Sequence, residues 1–176
     1  MLPNDIRKEI QHIVRGVIIE AASDPCTTIR NYLCERFSTS KTVKKNFEDQ
    51  LIIKEKQAEL IRQYASDKNL WVSFPLPGSR YLTRGGEAQV YLDINQKRVI
   101  KLNDAVYYAT WLEFFNSVVI HNLIFSNTAY ELVGFAESHN VLRDIKSALR
   151  QDRRAGRFSK CKRVSGLQWF SKYQTE

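Results

Sequence analysis

Apolar residues recur at three- and four-residue steps through the first third of the chain, the period of one helical face. Ile6, Ile10, Ile13, Val14, Val17 and Ile18, behind Asn4 or Asp5 as a cap, predict an amphipathic helix that stops near Asp24-Pro25. Thr27 or Thr28 then caps a shorter helix with Ile29, Leu33 and Phe37 on one side, broken at Ser38-Thr39-Ser40. Farther on, the spacing of Val43, Phe47, Leu51, Ile53, Leu60, Ile61 and Tyr64 predicts one long or one broken helix, whose lysines and glutamates form a solvated outer face.

Residues 68–79, KNLWVSFPLPGS, interrupt that period with two prolines and a glycine and mark a module boundary. Trp71 and Phe74 are expected to dock the helices onto the module beyond this boundary. Past Gly78 the period becomes two. Residues 81–83 predict a short strand, 88–94 a second with Val90, Leu92 and Ile94 on one face, and 98–102 a third after the polar turn Asn95-Gln96-Lys97, together an antiparallel meander. Residues 105–123 are apolar almost all round and too long for a strand, hence a buried helix, and 130–135 return to strand. At Leu142, Ile145 and Leu149 the helical step reappears, and then charge takes over. The chain reads as α+β: a helical segment over 1–67, a connection over 68–79, a mixed lobe over 80–140 and a basic tail over 141–176.

With 176 residues, 43% hydrophobic and 26% charged, the chain is long enough for one sizeable core and too apolar for disorder. No apolar run approaches the ~18 residues that a membrane helix needs, and MLPNDIRKEIQ lacks a signal peptide's basic start, so the expected location is the cytoplasm, with no membrane partner. Cys26, Cys34 and Cys161 form no CxxC pair and the histidines are scattered, which predicts neither a disulfide framework nor a metal site. His12, His121 and Cys34 lack the context of a catalytic triad; His121 reads as a hydrogen-bonded core residue, Cys26 and Cys34 as small packing groups.

The net charge of +8 changes the picture only when mapped, because residues 143–163 hold nine Lys or Arg against two Asp. Interleaved with Phe158, Trp169, Phe170 and Tyr173, the run over 143–173 is compatible with nucleic-acid binding through phosphate contacts and base stacking. Its alternative is a solvated tail, or a frame-shifted end that came out basic.

Within the lobe stand GGEAQVY (85–91), VIKLND (99–104), TWLEFF (110–115), HNLIF (121–125) and TAYELVGF (128–135). In this order of strand, glycine turn, strand, lysine-bearing strand, helix and strand, the chain from 58 to 135 resembles the kinase-like domain of polyvalent proteins of phages and mobile elements. The resemblance implies a protein-kinase N-terminal lobe that takes ATP and Mg²⁺. It also implies that Lys101 reaches the phosphates and is held by Glu113, that Gly85 and Gly86 lie over the phosphates, and that Val90 and Val99 line the adenine pocket. It assigns no metal ligand. Aligned on Val90-Tyr91, the glycine pattern keeps only its central member, Gly85, with Thr83 and Ala88 at the flanking positions, and Ser126 stands where a proline is expected.

The residues themselves leave Lys101 two roles. Most strand lysines are exposed. Against that, no Lys or Arg lies between Lys101 and Arg143, and Glu113 is the only acidic residue of the apolar helix, so a buried Glu113 needs a cation from elsewhere. Lys101 is nearest in the chain, with Arg84 or Arg98 as alternatives, and a solvent-facing Glu113 as the other outcome. Strand alternation puts Val99 and Lys101 on one face. No catalytic-loop Asp or metal-binding Asp motif follows residue 135, so the resemblance implies a truncated or rearranged member that does not catalyse alone. The alternative function is a non-catalytic interaction module that docks a protein partner, a missing kinase C-lobe included, or nucleic acid through 143–173.

Overall fold

The computed structural model describes residues 4–20, 24–37 and 47–149, and shows four helices and one antiparallel sheet among them. Helix α1 (Asn4–Val14) ends far short of the expected Asp24-Pro25 stop. Gly16 takes φ 76°, and two backbone bonds, Gly16 N to Ile13 O and Val17 N to His12 O, close the helix in a Schellman pattern. Asp24, rather than Thr27 or Thr28, caps α2 (Pro25–Phe37) by accepting from the Thr27 N–H at 3.0 Å. Helix α3 (Phe47–Asp67) is a single long helix.

The meander forms as the alternation predicts. Strands β1 (Arg80–Arg84), β2 (Ala88–Leu92) and β3 (Arg98–Asn103) pair antiparallel in sequence order. Helix α4 (Trp111–Ile124) comes next, then a 3₁₀ turn (Ser126–Thr128) and strand β4 (Glu131–Ser138). One element corrects the sequence reading: residues 141–149 are strand β5 (Val141–Leu149), and it lies between β3 and β4 in the order β1-β2-β3-β5-β4. The helical spacing of Leu142, Ile145 and Leu149 is accidental. A central strand buried on both faces loses the apolar–polar alternation that would have marked it, and polar Asp144 and Lys146 occupy its inner face. The basic run therefore does not begin as a tail, since Arg143 and Lys146 belong to the sheet; the rest of that run, with Phe158, Trp169, Phe170 and Tyr173, lies outside the described residues.

Helix α4 is apolar over most of its surface because every residue but Glu113 is buried or half-buried. Trp111, Phe114, Phe115, Val118 and Val119 share one core with Ile13 of α1, Ile29 and Leu33 of α2, Ile61 and Tyr64 of α3, and Phe135 and Leu142 of the sheet. Helices α1, α2 and α3 thus share one core with α4 and the sheet. The outer sheet face carries a second core of Ile100, Leu102, Ala136 and Ile145, roofed by Val72, Phe74 and Leu76. Trp71 ties the helices to the sheet: its Nε1 donates to Ser66 Oγ at 2.9 Å, and its backbone bridges Phe135 of β4. Gly134 is required at that crossing, because a Cβ there would lie 2.4 Å from the Leu70 carbonyl oxygen. Among the described residues no helix is long and apolar enough to cross a membrane.

Candidate functional site

Strand register decides which face each candidate residue occupies. Val90 of β2, Lys101 of β3 and Lys146 of β5 stand opposite one another across three strands. Val99, two residues before Lys101, shares that face, which is the one turned toward α4. Lys101 is half-buried and not an exposed hairpin lysine. At the open end of β1 and β2 the Gly85-Gly86 turn is closed by a bond from Gly85 N to Ala88 O of 2.9 Å. Neither glycine uses a positive φ. An added Cβ at Gly86 would lie 3.4 Å from Tyr107 Oη, an ordinary contact, so neither backbone angle nor space requires glycine there.

The expected partner of Lys101 is not where the helix pattern placed it. Among the described residues no ion pair joins Glu113 to Lys101. Glu113 is exposed in the first turn of α4, where its Oε2 accepts from the Ala109 N–H at 2.9 Å while its own N–H donates to Thr110 Oγ1 at 3.1 Å. The Thr110 bond is the N-cap half of a capping box, whose signature the sequence Thr110-Trp111-Leu112-Glu113 carries, while the Glu113 carboxylate reaches one residue farther back than the box requires, to Ala109. The requirement for a cation disappears because Glu113 faces solvent. Arg98 pairs with Glu131 at 2.6 Å, and Arg84 is exposed on the edge strand.

Lys101 is held instead by Tyr130. Its Nζ donates to Tyr130 Oη at 2.5 Å and lies 4.8 Å from the centre of that ring. Beneath the same ring is Lys146, buried against Phe114 at 4.1 Å and paired with the fully buried Asp144 at 3.4 Å. Burial pushes the Asp144 carboxyl above its ordinary pKa, with Lys146 opposing.

A sequence model of the serine/threonine/tyrosine kinases found in polyvalent proteins matches residues 54–152. The chain belongs to that kinase family. The match covers more than half of the chain, begins inside α3 and passes the end of β5, so the family's lobe is wider at both ends than the 58–135 resemblance. No curated protein and no solved structure matches the chain.

Two features of this kinase lobe escaped the sequence pattern. Lys54 of α3, read as solvated, reaches under α4 and donates to the carbonyls of Ala105 at 2.6 Å and Tyr108 at 2.8 Å. Burial lowers its pKa, and the nearby Asp104 and Glu113 work against that shift. Gln57 of the same helix is buried and accepts from the Leu112 N–H at 3.0 Å, satisfying one of the free donors at the start of α4. Both contacts join residues far apart in the chain. A cavity of about 710 Å³ lies on the outer sheet face against Trp71, Phe74, Gln89, Tyr91 and Arg143, none of them a candidate nucleotide residue.

His121 is the hydrogen-bonded core residue its context predicts, with Nε2 3.2 Å from Thr128 O and its ring 4.5 Å from that of Tyr130. Burial lowers its pKa below 6.5, Lys101 and Lys146 lower it further, and the Thr128 carbonyl opposes them. Because the depressed value belongs to the folded state, the unfolded chain binds the proton more readily as pH falls. Stability is therefore expected to be constant above pH ~6.5 and to decline below it. Urea midpoints across pH 5–8 check this, and His121→Asn should flatten the decline.

Proposed function

We propose that this lobe binds ATP with Mg²⁺ on the inner face of the sheet. Lys101 contacts the phosphates, the Gly85-Gly86 turn covers them, and Val90 and Val99 pack against adenine. The single observation that supports this most is the register: Val90, Val99 and Lys101 share one face beside the glycine turn, in a chain of a kinase family. Within the proposal Mg²⁺ would neutralise phosphate charge, and no residue of this lobe is assigned to hold it. Catalysis needs an aspartate to orient the acceptor hydroxyl and a second to hold the metal, for which this sequence has no matching motif. The lobe accordingly acts as a nucleotide-binding half that transfers no phosphate by itself.

Thermal unfolding of the full chain tests the reading. Mg-ATP at a hundredfold excess over its Kd should raise Tm by about 5–10 °C, because a ligand that prefers the native state stabilises it by mass action. Lys101→Ala should remove most of that shift while leaving the unliganded Tm nearly unchanged. Absence of a shift in the wild-type chain, or an equal shift in Lys101→Ala, would leave the docking module as the better reading.

A further inference from the structure

We infer that Tyr130, clamped by the C-terminal half of α4, positions Lys101 for the phosphates in the place of a helix glutamate; this rests on the nucleotide reading above. Tyr130 Oη is the hydrogen-bond acceptor of Lys101, at 2.5 Å. The tyrosine is itself fixed at both ends of its backbone unit. Its N–H donates to Asn122 Oδ1 at 2.7 Å and its carbonyl accepts from Asn122 Nδ2 at 2.9 Å, so one side chain of α4 grips it twice. On one side its ring lies against His121, the centroids 4.5 Å apart and the planes inclined by 31°. The connection between helix and lysine therefore runs through Asn122 and His121, and Glu113 takes no part because its carboxylate is spent on the helix cap.

Charge explains why a tyrosine suits this place. Lys101 and Lys146 face each other on paired strands, where like charges repel. The Tyr130 hydroxyl holds Lys101 inward against that repulsion, and the ring of the same residue lies 5.2 Å from the Lys146 ammonium. Asp144 compensates Lys146. Lys101 is thus anchored by a neutral group: among the described residues no carboxylate pairs with it and Tyr130 Oη is its one side-chain hydrogen-bond acceptor, which leaves N–H donors for an anionic ligand.

The test compares three variants of the full chain. Acetylation of Lys101 by N-hydroxysuccinimidyl acetate, followed by peptide mass spectrometry, needs no nucleotide. Tyr130→Phe, which keeps the ring and its stacking, should raise the Lys101 labelling rate by a factor of about 2–10, the equivalent of one ordinary hydrogen bond, and weaken Mg-ATP binding by a similar factor. Glu113→Gln should change neither. Should Tyr130→Phe fail to fold, Asn122→Ala, which opens the clamp but keeps the phenol, must raise the same rate. Wild-type labelling and affinity in both Tyr130→Phe and Asn122→Ala, or a loss in Glu113→Gln equal to that of Lys101→Ala, overturns the inference. If the wild-type chain binds no ATP, the nucleotide reading fails, and the labelling rates still decide which residue holds Lys101.

Discussion

Replacing Arg30 by methionine is expected to lower the stability of the chain by ~3–5 kcal/mol, a large part of the ~5–15 kcal/mol typical of a domain. Arg30 has no exposed surface at all. Its guanidinium donates to the carbonyls of Ile13 and Val17 where α1 ends, to Asn31 in its own helix, and to Asn116 Oδ1 in α4 at 2.9 Å. One side chain thus ties α1, α2 and α4 together. Among the described residues no carboxylate pairs with it, and burial lowers its pKa. Methionine fills similar volume and removes the desolvated charge, which favours it. The acceptors remain, and each one left without a donor costs ~1–3 kcal/mol. Four lost hydrogen bonds outweigh one relieved charge. Arg30→Lys should lose less but not nothing, since an ammonium cannot reproduce a planar fork of donors. Urea denaturation with matched m-values checks both; a loss under ~1 kcal/mol in Arg30→Met would mean that water replaces the guanidinium.

The second large effect is expected at Asp144 and Lys146, and its sign depends on whether one or both are changed. These residues are 1% and 4% exposed, and their charges stand 3.4 Å apart. Asp144 Oδ2 makes no hydrogen bond, so the pair attracts across space without the close geometry that best offsets desolvation. Asp144→Asn leaves Lys146 as an unpaired buried cation and should cost ~3–5 kcal/mol. The double variant Asp144→Leu with Lys146→Met removes both charges and should be about neutral, or more stable than wild type by ~1–4 kcal/mol. A double-variant cycle by chemical denaturation gives the coupling directly. Additive losses would show that the two charges do not sense each other.

The fold was legible where one face of an element is wet. Helices α1 to α3 and the β1–β3 meander arise from periods of 3.6 and 2, because burial on one side writes those periods into the chain. Strand β5 was hidden because it is buried on both sides, and Lys146 and Asp144 made its interior look like the start of a basic tail. Of the candidate site, the common face of Val99 and Lys101 could be read from alternation within one strand, while the register that sets Val90 opposite Lys101 came from the structure. The pairing of Lys101 with Glu113 could not. Sequence proximity made Lys101 the nearest cation to Glu113, whereas the carboxylate faces solvent and bonds the Ala109 N–H. The capping signature at Thr110 and Glu113 was the local signal that would have released Glu113 from any ion pair.

By itself, then, the sequence determined what local chemistry can write: the periods of the elements, the capping residues, the glycine turn and the family to which the chain belongs. Only the tertiary structure decided that α4 grips Lys101 through Asn122 and Tyr130, that Lys146 takes Asp144, and that α1 to α3 wrap α4 into one core. These pairings depend on which strands become neighbours and which side chains lose water together. Such choices minimise the cost of burying charge across the whole lobe, and no window of neighbouring residues contains them.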